Sequence, residues 1–316
     1  MKAGIVVVGS LNLDHVVTVE RLPLEGQSVA GRNYVAVPGG KGLNQAVASA
    51  RQGLPTAMVG CIGSDPAGEI LSRVLASEEI DLRFVRRTEG VSSGIALITV
   101  AAGGANTVVV AAGANGTVSP ADVAHATSVI EDAAVVLTQL EIPLRTVEAA
   151  LLAGRRTGAL TVLNPAPAHA ALPRRILELV DVIVPNETEA QILTGQRDPA
   201  KAAGALVGGG CQTAIVTLGS KGALLLESTD PARAVTVPPF AVTAVDTTAA
   251  GDAFCGALAA SLAKDTFPAD GVLVRGARRG AAAGAIATTV LGAVPSLPDA
   301  ADVADLLAGR PVAARK

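Results

Sequence analysis

Tryptophan is absent, and one tyrosine and four phenylalanines make up the aromatics, 2% of the chain. Stacking platforms for bases or sugars are therefore scarce. An excess of either charge is missing too. The 25 basic and 28 acidic residues leave a net charge of -3, and basic residues occur only in scattered pairs such as Arg86-Arg87 and Arg278-Arg279. That excludes an electrostatic footprint for nucleic acid or for an anionic membrane. A small anionic ligand remains open, because backbone amides bind one without net positive charge. Cysteines number only three, Cys61, Cys211 and Cys255, too few and too far apart for a disulfide framework or a CxxC metal pair. With no secretory signal they read as buried thiols in a reducing cytoplasm. No apolar run is long enough to span a membrane. The run at 5–8 is too short for a signal core and soon meets Asn12 and Asp14. The uncharged stretch 280–297 is rich in Ala, Gly and Thr and contains Pro295, so it reads as a buried helix followed by a loop.

What is present is a chain of 316 residues, 50% hydrophobic and 17% charged, which rules out intrinsic disorder. Short β-branched runs at 5–8, 57–61, 135–139, 160–163, 182–184 and 214–217 are continuously apolar, as in strands covered on both faces. Helical patterns lie between them. One starts at Asp65-Pro66, an N-cap followed by an N1 proline, with Ile70, Val74 and Leu75 on one face. Another runs from about Pro143 to just before Gly158, and a third from about Glu187 to Gly195. This alternation predicts an α/β fold with an open, mostly parallel sheet between layers of helices. Two segments, 14–37 and 94–110, alternate instead, and Gly103-Gly104-Ala105-Asn106 suits a hairpin turn. They predict a small β-sheet inserted as a lid in one domain spanning 1–316, whose apolar far face favours a homodimer. There is no internal repeat and no linker.

Ligands of open parallel sheets bind beyond the carboxyl ends of the strands. Ser10, Asn12 and Asp14 follow the first strand, and Glu141 follows 135–139. Asn164, then Asn186 with Glu189, then Thr217 with Gly219 follow the next three. Amides and carboxylates at five strand ends point to a polar substrate used with a nucleotide or metal. Pro38-Gly39-Gly40-Lys41-Gly42-Leu43-Asn44-Gln45 opens a helix whose glycines let a ligand approach free amides; alone, it also reads as an ordinary glycine-rich turn. The most specific stretch is Asp246-Thr247-Thr248-Ala249-Ala250-Gly251-Asp252, followed by Phe254, Leu258 and Leu262 on one helix face. Small residues leading into a helix leave amides open to phosphate oxygens. Asp252 at the helix start is held ionised by the helix dipole. It could accept a proton from a hydroxyl attacking a phosphoryl group, and it could equally be a helix cap.

Other signals fail. Gly90-Val91-Ser92-Ser93-Gly94 matches a nucleophile elbow, but a charged segment precedes it and a strand follows, so the match is chance. No complete Walker A or GxGxxG is present. His15, His125 and His169 lack metal-ligand spacing, and Asn115-Gly116-Thr117 and Asn186-Glu187-Thr188 are glycosylation matches that a cytoplasmic protein does not use.

Taken together, these motifs resemble the PfkB family of carbohydrate kinases, within it the ribokinase group. The resemblance is nearly full length. It runs from Gly9-Ser10-Leu11-Asn12-Leu13-Asp14 through Gln139-Leu140-Glu141, Leu163-Asn164-Pro165-Ala166-Pro167-Ala168, Pro185-Asn186-Glu187-Thr188-Glu189 and Thr217-Leu218-Gly219-Ser220-Lys221-Gly222. It ends at Pro295-Ser296-Leu297-Pro298. It implies a ribokinase-like fold and transfer of the γ-phosphoryl of ATP to the 5-hydroxyl of D-ribose. Asp252 would be the base, with the amides of Ala249, Ala250 and Gly251 as anion hole. Asn12, Asp14, Gly40, Lys41, Gly42, Asn44 and Glu141 would hold the sugar. Asn186, Thr217, Leu218, Gly219, Ser220, Lys221, Gly222, Gly251 and Ala281 would meet ATP. Glu189 would organise Mg²⁺ through water. A monovalent cation, K⁺, would sit among Asp246, Thr248, Ala287, Val290, Gly292 and Ser296. The alternatives are a kinase of the same family for 2-deoxyribose, a nucleoside or another sugar, and a catalytically silent sugar-binding regulator.

Overall fold

A computed structural model describes residues 4–265 and 271–312. Thirteen strands lie among them: β1 (Ile5–Val8), β2 (Asn12–Val19), β3 (Gly31–Gly39), β4 (Thr56–Gly63), β5 (Asp81–Thr88), β6 (Gly94–Ala101), β7 (Asn106–Ala111), β8 (Val135–Thr138), β9 (Leu160–Leu163), β10 (Val182–Ile183), β11 (Thr213–Thr217), β12 (Ala223–Glu227) and β13 (Val235–Val237). Nine form one sheet in the order β13-β12-β11-β10-β9-β8-β1-β4-β5, and four form a second in the order β3-β2-β6-β7. In the large sheet every pair from β5 to β11 is parallel; β12 alone runs the other way, so the β11–β12 and β12–β13 pairs are antiparallel.

The apolar runs become strands because both sheet faces are covered. Along β1, Ile5 and Val7 pack into one core and Val6 and Val8 into the other. The first core joins helices Lys41–Arg51, Pro66–Ser77, Ala250–Lys264 and Val272–Ala287 to the sheet. The second receives Leu144–Thr157, Glu187–Thr194 and Pro199–Gly208. The expected helix ends are there: Asp65 accepts from the Gly68 amide, and Gly158 and Gly195 close their helices in the left-handed conformation. The face of Pro66–Ser77 is centred one position away from the sequence reading, since Leu71 and Leu75 are fully buried and Ile70 and Val74 only half so.

Helix Ala250–Lys264 was expected to bury one face. It is buried nearly all round, from Asp252 to Leu262. Glycine allows this: a Cβ on Gly256 would lie 2.4 Å from Ala48 Cβ, and one on Gly280 would lie 2.9 Å from the Phe254 carbonyl oxygen. The helix therefore approaches both neighbours closely enough to bring residues 41–45 against its N-terminus. Its partner Val272–Ala287 and the loop after it fill the uncharged stretch 280–297. Strand order leaves β1 in two directions, towards β4 and towards β8. That switch point opens a crevice at the carboxyl ends of β1 and β8. The small sheet springs from the same edge, because only Gly9-Ser10-Leu11 separates β1 from β2.

Candidate active site

The crevice is closed by one carboxylate. Glu141, after β8, accepts from Ser10 Oγ at 2.5 Å and from the Lys41 amide at 3.0 Å, and Ser10 Oγ accepts from the Gly42 amide at 3.2 Å. Helix Lys41–Arg51 is thereby fastened to the end of β1. Its glycines serve the chain itself. A Cβ on Gly39 would lie 2.1 Å from Asp14 Oδ2, one on Gly40 2.8 Å from the Asn12 nitrogen, and one on Gly42 2.5 Å from the Ser10 nitrogen. Asn12 and Asp14 stand on β2. Asn12 Oδ1 accepts from Asn115 Nδ2 at 2.7 Å, and Asn115 Oδ1 takes the Leu11 amide at 2.9 Å. Asn115 is thus a fully buried brace, which agrees with rejecting it as a glycan acceptor.

Two buried oxygens here have no partner among the described residues, Asp14 Oδ1 and Asn44 Oδ1. An unpaired buried acceptor costs about 1–3 kcal/mol, which a ligand hydroxyl can offset. Burial, then the charges of Glu141 and Asp252, raise the Asp14 carboxyl to about 7.

Asp252 is buried in the first turn of Ala250–Lys264. Its Oδ2 accepts from Asn44 Nδ2 and its Oδ1 from Gln45 Nε2, both at 2.9 Å. Burial raises its pKa, while Lys41, Asn44 and Gln45 work against that rise. The Lys41 ammonium is lowered by burial but raised more by Asp252, Glu141 and Glu189, so it stays charged. At the helix start, the Ala250 amide leans on the Thr247 carbonyl at 3.3 Å, whereas the amides of Ala249, Gly251 and Asp252 meet no acceptor among the described residues. Ala249 adopts φ 58°, a left-handed conformation that costs a non-glycine residue about 1–2 kcal/mol. The strain sits where the free amides are exposed.

Two adjoining cavities meet at this helix end. The smaller, about 180 Å³, is lined by Lys41, Asn186, Glu189, Asp252 and Cys255 among others. Burial first, then Asp252, pushes the Cys255 thiol well up, so it is protonated and inert. Glu189 Oε2 accepts from the Asn186 amide at 2.9 Å and Asn186 Oδ1 from the Glu189 amide at 2.8 Å, a reciprocal cap for Glu187–Thr194. The larger cavity, about 500 Å³, shares Thr217, Thr247 and Gly251 with the first. Of the residues expected around a nucleotide, Thr217, Gly219, Ser220, Gly222, Gly251 and Ala281 line it. Asn186, Leu218 and Lys221 do not; Asn186 lines the smaller cavity, Leu218 packs against the second core and Lys221 lies 3.9 Å from Glu187. Sequence reasoning missed Phe240, Val242, Gly284 and Ala285 on its apolar walls. None of them carries a polar side chain that would single it out in the sequence.

Asp246 ties two loops together. Its Oδ1 accepts from the Thr248 amide and hydroxyl at 2.9 and 2.7 Å, and its Oδ2 from the Gly292 amide at 2.9 Å. Burial alone raises this carboxyl, but the Thr248 hydroxyl and the Gly292 and Thr248 amides outweigh it and hold it below its ordinary value. Ala287 and Val290 join through the Val290 amide, which donates to the Ala287 carbonyl at 3.4 Å. The hydroxyl of Ser296 is spent on the Ala293 carbonyl at 2.7 Å. Arg51 donates to the carbonyls of Val294 and Leu297 at 2.9 and 2.7 Å, linking this loop to helix Lys41–Arg51.

Comparison with known proteins agrees with this geometry. A model of the pfkB family carbohydrate kinases matches residues 2–300. A ribokinase of Haemophilus influenzae is 38% identical over 312 residues, covering 97% of this chain and 99% of its own length. A deoxyribokinase of Salmonella typhi is 36% identical over 260 residues, covering 81% of this chain and 84% of its own. The structure of Arabidopsis thaliana ribokinase complexed with ribose and ATP superposes with a TM-score of 0.87 at 31% identity, over 97% of this chain and 99% of that one.

Proposed function

The chain belongs to the pfkB family of carbohydrate kinases, with a ribokinase-like α/β fold, and we propose that it transfers the γ-phosphoryl group of ATP to the 5-hydroxyl of D-ribose. The products are D-ribose 5-phosphate and ADP. One observation carries the reading: a polar cavity lined by Lys41, Glu189 and Asp252 and an apolar cavity meet at the Gly251–Asp252 helix start, and outside both linings, around Asp252, lie buried oxygens of Asp14 and Asn44 with no partner among the described residues. The polar side takes a polyol and the apolar side a nucleotide base. Ribokinases from two organisms among the relatives support ribose.

In this reading Asp252 accepts the 5-hydroxyl proton as the ribose oxygen forms its bond to the γ-phosphorus. The bond from that phosphorus to the bridging oxygen breaks, and ADP departs. The free amides of Ala249 and Gly251, with that of Asp252, and the Lys41 ammonium hold the charge gathering on the transferred group. Asn12, Asp14, Asn44 and Glu141 fix the sugar, and the small sheet acts as a lid that keeps water from competing as acceptor. Among the described residues no three of His, Cys, Asp and Glu cluster as a metal cage. Mg²⁺ fits as a companion of ATP, neutralising phosphate charge, with the second oxygen of Glu189 free to hold one of its waters. The Asp246 carboxylate, held ionised, would offer a hard monovalent cation such as K⁺ an oxygen donor, with main-chain carbonyls of 287–296 as the remaining ligands. Exposed Tyr34, Leu97, Val108 and Val109 on the small sheet suit a homodimer. No helix among the described residues is long and apolar enough to cross a membrane, and three buried free thiols fit the cytoplasm.

Likeness to the Salmonella typhi enzyme keeps 2-deoxyribose as the second acceptor to weigh. An ATP-consumption assay with Mg²⁺ and K⁺ over ribose, 2-deoxyribose, fructose, adenosine and cytidine decides. Ribose-dependent turnover with the highest kcat/KM supports the proposal. Preference for another acceptor moves the substrate, and silence with sugar binding intact points to a regulator.

Asp14 adds a pH dependence. Its carboxyl, raised to about 7, is protonated below that pH and then loses acceptor oxygens for the sugar. The kcat/KM for ribose falls as pH drops through about 7. The kcat limb lies at lower pH, because bound hydroxyls favour the charged form. A kcat/KM profile flat from weakly acid to weakly basic pH contradicts this role.

A further inference from the structure

Behind Asp252 lies a chain of buried amides. Gln45, Gln139 and Asn164 come from helix Lys41–Arg51 and from the ends of β8 and β9, and all three are buried. Gln45 Nε2 donates to Asp252 Oδ1 at 2.9 Å and to Asn164 Oδ1 at 3.1 Å, so both its hydrogens are used. Gln45 Oε1 accepts from Gln139 Nε2 at 2.6 Å. Asn164 Nδ2 donates to the Val184 carbonyl at 2.8 Å.

These bonds have a direction. A main-chain carbonyl only accepts, so Val184 fixes which end of the Asn164 amide faces it. Asn164 is left to offer its oxygen to Gln45, and Gln45 must present its nitrogen. That nitrogen serves Asp252 with its other hydrogen. Gln139 sets the same orientation from the opposite side, because its NH₂ group faces Gln45 Oε1. The orientation of Gln139 is itself dearly held. Its Oε1 is buried with no partner among the described residues, and a Cβ on Gly9 would lie 2.1 Å from that atom. Unpaired buried oxygens are rare in folded proteins and call for a reason. Here the reason is that Gln139 keeps its nitrogen towards Gln45.

We infer that Gln45 is a positioning residue that holds Asp252 Oδ1 in place for proton abstraction, and that Gln139 and Asn164 lock the direction of its amide. The inference rests on the proposed role of Asp252 as base. Asn44 pins Oδ2 from the same helix, so both carboxylate oxygens are oriented from residues 44 and 45.

The test uses Gln45→Met, Gln139→Met and the double variant, each similar in volume and lacking the amide. Misplacing a reacting group by about 1 Å costs about 10²-fold, so Gln45→Met lowers kcat by about that factor with the ribose Kd from calorimetry essentially unchanged. Gln139→Met, which touches no atom of Asp252, lowers kcat by about tenfold, the worth of one hydrogen bond. In the double variant the Gln139 substitution adds nothing further, because its effect passes through Gln45. Should Gln45→Met fail to fold, Gln139→Met with intact ribose binding decides alone. The inference is overturned if folded Gln45→Met or Gln139→Met keeps wild-type kcat, or if the two losses multiply in the double variant. Wild-type protein that turns over no acceptor overturns the kinase reading, and this inference with it.

Discussion

Asp252→Ala removes ribose-dependent turnover, with kcat falling by about 10²–10⁴-fold, the usual contribution of a positioned general base. A sugar hydroxyl is a poor nucleophile and must lose its proton as it attacks. Asp252 is the carboxylate at the junction of the two cavities, and its environment keeps it an acceptor. Burial raises its pKa, but Lys41, Asn44 and Gln45 each favour the charged form. Its two oxygens already receive the amides of Asn44 and Gln45, so a proton on either would displace a hydrogen bond. Asp252→Asn keeps the shape and one accepting oxygen and loses kcat to a similar extent. Ribose calorimetry on both variants reports binding, since Asn12, Asp14 and Glu141 remain. A variant near wild-type turnover means that another group takes the proton.

Gly251→Ala separates catalysis from folding. The Gly251 backbone is not in the left-handed region, and a Cβ there meets no protein atom within 4 Å. Alanine also favours a helix over glycine by about 1 kcal/mol, so the melting temperature holds or rises. Yet that open space belongs to both cavities, at the point where the transferred phosphoryl must pass. A methyl group there blocks access to a free amide, and loss of one such donor costs about 10²–10³ in kcat. Gly256→Ala is the opposite control. Its Cβ would meet Ala48 Cβ at 2.4 Å, so it destabilises the protein by forcing two helices apart. Equal activity in Gly251→Ala and wild type would remove the anion hole from the account.

The parallel core was legible because strands covered on both faces are almost wholly apolar, as β1, β8 and β9 are apart from Thr138 and Thr161, whose hydroxyls donate to the carbonyls of Val8 and Leu179. The small sheet was legible from alternation, and helix ends from Asp65-Pro66, Gly158 and Gly195. β5 was not: Arg83, Arg86 and Arg87 give it the look of a charged loop, whereas an edge strand carries its charges outwards. The chain reverses at β12 and again at β13, which nothing in their apolar residues announces. In the site, Asp252, Glu141 and Asp14 were readable as polar residues at strand and helix ends. The glycines at 39, 40 and 42 were read as room for a ligand and turn out to make room for Asp14, Asn12 and Ser10. Gln45, Gln139 and Asn115 gave no local signal, since each acts on a residue about a hundred or more positions away. The nucleotide walls at Phe240 and Ala285 are ordinary apolar residues that only the fold brings together.

The most direct measurement is a proton–phosphorus NMR correlation on the product formed from ribose and ATP. One phosphomonoester is expected, its phosphorus coupled to the two protons on ribose C5, appearing in step with ADP and absent with Asp252→Ala. Coupling to the anomeric proton, or ADP formed with free phosphate and unchanged ribose, would contradict it.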